Sequence, residues 1–185
     1  SATRTPTGTN RPAAGSMTGT SLSSAPMSTP AADREWIKFR HARFTARFPA
    51  DFFYSPSHYW MMPVPGDPGL WRVGFTKFAT RMLGELVDFT FNPPEGGPVQ
   101  PGEMIGWVEG FKAASDVFCV MSGQFAGSNP ALKADACIVR SDPYLEGWLY
   151  SVRGEPEPGH LDAQGYLELL NATITRMAEQ EHPEE

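Results

Sequence analysis

Cysteine is nearly absent. The 185 residues hold two, Cys119 and Cys137, too far apart for a C-x-x-C ligand pair and joined by no cluster of histidines, so no zinc site is expected. Both stand in apolar surroundings, "VFCVM" and "ADACIV", and are read as small buried thiols. Long hydrophobic runs are absent too: Gly, Pro or charge breaks each within a few residues, well short of the ~18 needed to cross a membrane. A basic face is missing. With a net charge of −6 and pI near 5.2, the chain lacks the Lys/Arg cluster that phosphate neutralisation requires. Nor is there a G-x-S-x-G elbow, a Gly-rich phosphate loop or an H-E-x-x-H helix. His41, His58, His160 and His182 fall in no nucleophile pattern. No catalytic residue is expected, and the chain reads as a carrier or a binding module rather than an enzyme.

Residues 1–32 hold no acid, only Arg4 and Arg11 as charges, and much Ser, Thr, Ala, Pro and Gly. Such a segment cannot bury enough apolar surface to offset its ordering entropy, so it is expected to be a disordered leader, in part an expression tag. Its prolines disfavour the amphipathic helix of a transit peptide. Residues 33–185 are then one domain, with an extension over 33–56. In that extension Trp36, Phe39, Phe44 and Phe48 interleave with Arg and His. The spacing predicts a short helix capped by Asp33, its rings packed on a core rather than on nucleic acid.

The centre has the period of strands. "WRVGFTKF" alternates Trp71, Val73 and Phe75, and "ELVDFTF" alternates Val87, Phe89 and Phe91. "NPPEGGPVQPGE", with four prolines and three glycines, is a loop. "MIGWVE" and "VFCVMSG" flank "GFKAAS", the length of a hairpin connection, with Gly110 available for a turn conformation that other residues avoid. Lys112, one of only four lysines, falls at that tip. A closing strand is expected around Trp148 to Val152. An amphipathic helix follows, with a stripe of Tyr166, Leu169, Leu170, Ile174 and Met177 and Asp162 as its N-cap. The expected architecture is mainly β, a small sandwich or barrel with a helix at each end.

Five ordered blocks between Ser57 and Leu170 resemble the glycine cleavage H-protein family. "HYW" at His58 to Trp60 is similar to its H-E-W, and "VGFTKFATRMLGELV" to V-G-[IL]-T-x-[YF]-A-x-x-x-L-G-[DE]-[IL]-V. "VEGFKAASDVF" resembles V-E-S-V-K-A-x-S-D-[VIL]-Y, "SGQFAGSNPAL" resembles S-G-x-[VI]-x-x-x-N-x-x-L, and "DPYLEGWL" resembles D-P-Y-x-x-G-W-[LM]. The resemblance implies a lipoyl-domain-like β-sandwich (a barrel-sandwich hybrid) in a cytoplasmic monomer, with lipoate joined to Lys112 as an amide. Glu109, Gly110, Phe111, Ala113 and Asp116 then surround the attachment point. Glu109, Asp116 and Glu103 are candidate docking or ligase-recognition charges, and His58 is a candidate contact for the arm.

Three departures bear on partners. Gly110-Phe111 replaces the family's Ser-Val, Cys119-Val120-Met121 replaces Ser-Pro-Val, and residues 33–56 have no counterpart. They resemble the H-like lipoate-binding proteins of heterodisulfide-reductase-like bacterial sulfur oxidation, which is the preferred expectation, with a lipoate ligase and a heterodisulfide-reductase-like complex as partners. The alternatives are a glycine cleavage H protein, whose partners are glycine decarboxylase, aminomethyltransferase and lipoamide dehydrogenase, and an unmodified interaction module. Deleting residues 1–32 is expected to leave the melting temperature unchanged in a calorimetric scan; a clear drop would assign the leader a part in the fold.

Overall fold

A computed structural model describes residues 34–181; the expectation for residues 1–32 lies outside them. The chain forms β1 (Trp36–His41), β2 (Phe44–Pro49), β3 (Phe53–Tyr54), β4 (Tyr59–Pro63) and β5 (Leu70–Phe75). After α1 (Lys77–Leu83) come β6 (Leu86–Phe91), β7 (Pro98–Val99), β8 (Met104–Gly110), β9 (Ala114–Phe118) and β10 (Met121–Ser128). The short helices α2 (Ala131–Ala134) and α3 (Ile138–Ser141) precede β11 (Tyr150–Pro156) and the long α4 (Ala163–Glu181). A six-stranded sheet in the order β3-β4-β5-β11-β10-β7 faces a three-stranded sheet β6-β8-β9, and β1-β2 stand apart as a hairpin.

The segment expected to be an N-terminal helix is this β1-β2 hairpin. Its period is two: Ile37, Phe39 and His41 turn inward while Lys38 and Arg40 are exposed, and Phe44, Ala46 and Phe48 alternate with exposed Thr45 and Arg47. The connection has two residues, Ala42 and Arg43, and Ala42 takes φ +52°. The rings do pack. Phe44 and Phe48 are buried, and Trp36 and Phe39 lie against them.

Two cores result. One fills the sandwich, with Val73, Phe75, Ile105, Val108, Val117, Met121 and Tyr150. The other lies outside β4 and β5, where Phe48, Tyr54, Trp60, Tyr144, Tyr166 and Leu170 join the hairpin to α4. Gly74 marks the point where β5 serves both: a Cβ there would stand 2.5 Å from the Trp60 ring. Side chains thus leave β5 toward the sandwich at Val73 and Phe75, while the bare backbone between them seats the indole.

Several local expectations shift. β5 stops at Phe75, and "TKFATRML" is α1, whose first turn Thr76 caps by accepting from the Ala79 amide. A bulge between Leu86 and Asp88 breaks the alternation of β6, so Leu86 is buried and Val87 is exposed. "VFCVMSG" is two strands, since β9 ends at Phe118 and β10 begins at Met121. The closing strand starts at Tyr150 rather than Trp148. Cys137 is exposed, not buried: it is the N-cap residue of α3, and the chain there turns Ala136 before it and Val139 after it, three apart, into the core instead. The stripe of α4 and its Asp162 cap agree with expectation, Asp162 Oδ1 accepting from the Gly165 amide at 2.7 Å.

Phe48 is fully buried and meets Phe39, Tyr54, Tyr144 and Tyr166. Phe48→Ala should cost about 3–5 kcal/mol and lower the denaturation midpoint accordingly; a loss under about 1 kcal/mol would show that the hairpin does not support the second core.

Candidate functional site

The β8-β9 hairpin carries the site. Glu109 pairs with Ala114, and the Gly110 amide donates to the Ala113 carbonyl at 2.9 Å, leaving Phe111 and Lys112 as a two-residue end. Neither these two nor Gly110 has positive φ, so Gly110 is not there for the turn conformation expected of it. Its role is close approach: a Cβ at Gly110 would lie 3.1 Å from both the Ala113 and Glu85 carbonyl oxygens. The Phe111 amide donates to the Glu85 carbonyl at 3.0 Å, which ties the hairpin end to the corner between α1 and β6. Beyond that tie the side chains are free. Phe111 is 81% exposed, and Lys112 and Ala113 are exposed beside it. Among the described residues Lys112 forms no ion pair.

The acidic neighbours divide. Glu109 stands opposite Asp88 of β6, and Asp116 opposite Trp107, so Asp88, Glu109 and Asp116 share the outer, solvated face of the three-stranded sheet. Glu103 is not with them. It precedes β8 at the far end from the tip, where its carboxylate accepts from the Gln100 amide at 3.1 Å and its carbonyl from the Cys119 amide. Sequence reading missed Asp88 because only strand register reveals it.

His58 lies elsewhere, in the turn before β4, at φ +71°. Its Nδ1 is 2.9 Å from the Tyr166 hydroxyl, which is in turn 2.8 Å from Thr76 Oγ1. The imidazole packs against Phe78 at 4.6 Å between ring centres. It is a part-buried joint between the β3-β4 turn, α1 and α4, and burial lowers its pKa below the ordinary 6.5. Nothing brings it to the hairpin tip. The two thiols differ as strongly. Cys119 is buried and its Sγ donates to the Met121 carbonyl; burial pushes its pKa up to about 11. Cys137 stands in a groove with Val87, Leu132 and Phe111.

Known proteins resemble this chain over most of its described length. The family model described as glycine cleavage H-protein matches residues 52–173. The glycine cleavage system H protein of Corynebacterium jeikeium (strain K411) is 38% identical over 121 residues, which span 64% of this chain and 93% of that one. That of Pseudoalteromonas atlantica (strain T6c / ATCC BAA-1087) is 37% identical over 124 residues, 65% and 94% of the two chains. A crystal structure of a glycine cleavage system H protein from Mycobacterium marinum superposes with a TM-score of 0.58 at 36% identity, covering 65% of this chain and 97% of that one. The fold is the lipoyl-domain-like β-sandwich. The chain belongs to the glycine cleavage H-protein family. Proteins of this family carry lipoate covalently on a lysine and have no catalytic activity of their own. Among the described residues no helix is long and apolar enough to cross a membrane.

Because the folded pKa of His58 is lowered, the unfolded chain binds its proton more readily. The stability it contributes is therefore full above about pH 6.5 and lost as pH falls through that value toward the folded pKa. His58→Asn, which tolerates the positive φ, should lose less stability than the parent between pH 7.5 and 5.5. Parallel melting curves across that range would contradict the assignment.

Proposed function

We propose that the chain is the lipoyl carrier of a glycine cleavage system, with lipoate joined to Lys112 Nζ as an amide. A lipoate ligase would attach the arm, and the loaded protein would carry the aminomethyl group between glycine decarboxylase and aminomethyltransferase, with lipoamide dehydrogenase restoring the oxidised arm. The observation that carries this reading is an exposed lysine on a two-residue hairpin end, in a member of a family that bears lipoate on a lysine. When bound, lipoate supplies reversible dithiol–disulfide chemistry at the end of a long tether.

The chain's own residues do the positioning. The Phe111–Glu85 backbone bond fixes the root of the tether, while Gly110 lets the hairpin close against the corner that makes that bond. Amide formation removes the ammonium charge of Lys112, leaving Asp88, Glu109 and Asp116 to dominate the field around the tip. Such a face steers toward basic rims on partner enzymes. A tethered arm raises the effective concentration of its cargo at a docked enzyme to about mM, so shape and reach suffice without a catalytic pocket.

The expected sulfur-oxidation partner, a heterodisulfide-reductase-like complex, is not supported. The relatives named above are glycine cleavage proteins. One of the features that favoured a special partner, the aromatic extension, turns its rings into the second core. Incubation with ligase and lipoate should add one lipoyl mass on Lys112, absent in Lys112→Arg, and the product should support glycine–bicarbonate exchange by glycine decarboxylase. A lipoyl mass on Lys77 or Lys133 would overturn the attachment, and a loaded protein that supports no exchange beside a working ordinary H protein would overturn the glycine assignment.

A further inference from the structure

Read along the chain, the basic residues form no cluster; strand register assembles one. Across the β1-β2 ladder Lys38 pairs with Arg47 and Arg40 with Thr45, and Arg43 stands in the turn. All five are exposed, on a hairpin whose other face carries the rings of the second core. Lys38, Phe39, Arg40, Thr45, Ala46 and Arg47 line an open groove of about 490 Å³. Arg47 lies over the Trp36 ring, 5.7 Å from its centre. Among the described residues none of the four cations forms an ion pair. Every one of these residues precedes the family-matched 52–173, so the surface belongs to the segment added to the carrier body.

The arrangement calls for an anion. Like charges directly opposite on a ladder, with Cβ atoms about 5 Å apart, destabilise the strand pair, and a carboxylate laid between Lys38 and Arg47 removes that cost. The face also limits what the anion is. Lys38 and Arg40 lie about 7 Å apart along β1, which is the repeat of alternate side chains in an extended peptide. Residues 34–47 hold five Lys/Arg and one Glu, net +4 in a chain of net −6, so everything else carries −10. A nucleic acid or an anionic bilayer runs past the hairpin over that acidic remainder, within a Debye length of about 8 Å, and is repelled. A short acidic strand ends before it gets there. The chain's own leader cannot take the place, since residues 1–32 hold no acid.

We propose that the outer face of the β1-β2 hairpin docks an acidic, extended segment of a partner protein. On an enzyme that also receives the β8-β9 tip, such a contact raises the effective concentration of the tip without touching Lys112. The test uses the full chain and a fluorescent oligoglutamate peptide, read by anisotropy, with oligothymidylate and phosphatidylserine vesicles as competitors. The parent should bind the peptide, and more weakly as salt rises. Lys38→Glu should bind it several-fold more weakly yet melt no lower, because the new carboxylate pairs with Arg47 across the ladder. Arg40→Gln combined with Arg47→Gln, which neutralises the face without reversing it, should weaken binding as well. Lys133→Glu, the same charge change on exposed α2, should not. Bound peptide should shift the backbone amide resonances of Lys38 and Thr45 and leave those of Glu109 and Asp116 in place. No binding at low salt, or unchanged binding by the double glutamine variant, would overturn the proposal. Equal weakening by Lys133→Glu would do so by leaving net charge as the cause, and shifts confined to residues outside the hairpin would do so by moving the site. Displacement of the peptide by oligothymidylate or vesicles at lower concentration than by unlabelled peptide would overturn it in favour of nucleic acid or membrane.

Discussion

The chain passes from the three-stranded sheet to the six-stranded one at Phe118 to Val120, and two buried phenols satisfy the backbone there. The Phe118 amide donates to the Tyr59 hydroxyl at 3.0 Å; the Tyr150 hydroxyl donates to the Phe118 carbonyl at 3.0 Å and accepts from the Val120 amide at 3.2 Å. Burial pushes the Tyr59 phenol up to about 12 and holds Tyr150 well above its ordinary value, so both remain protonated at neutral pH. An unsatisfied buried backbone group costs roughly 1–3 kcal/mol. The orientation of the β8-β9 hairpin on the body, and with it everything proposed for Lys112, depends on this junction.

The body and the additions to it are separable in the same terms. The sandwich core lies between the two sheets and belongs to the region shared with the relatives, which cover about two thirds of the chain. The second core needs the outer faces of β4 and β5, the β1-β2 hairpin and α4 together. Trp60 links the two regions: its ring lies on the bare backbone of Gly74 and its indole nitrogen donates to the Pro143 carbonyl at 2.8 Å. Tyr144, one residue on, accepts from the Lys77 amide and so fixes the start of α1, the helix that leads to the corner holding the hairpin tip.

What was legible in the sequence was local. Two apolar runs around a polar interruption sufficed to put Lys112 at a hairpin end, because that pairing needs only neighbouring residues. The amphipathic α4 and its Asp162 cap were legible for the same reason. The extension was misread because aromatics at Trp36 and Phe39 satisfy a helical spacing, while the strand period shows only when Lys38, Arg40, Thr45 and Arg47 are counted as the outer face. α1 was hidden because "GFTKF" continues the alternation of β5 past Thr76. Long-range placement was not legible at all. Glu103 and Glu109 are six residues apart, yet a strand of that length sets them at opposite ends, and Asp88 joins the acidic face only through the register of β6 against β8. His58 matched a family motif, but its partner Tyr166 lies over a hundred residues away.

The amides of Gly110 and Phe111 are both engaged, one across the hairpin and one to Glu85. Backbone order therefore persists to within one residue of Lys112. Hydrogen exchange at these two positions requires an opening of the hairpin or of the corner, on the slow timescale of local unfolding, whereas the lysine side chain reorients in picoseconds to nanoseconds. The root of the tether and the tether itself thus move on clocks separated by several orders of magnitude. To an approaching enzyme the tip is a stationary landmark, and the search belongs to the side chain alone.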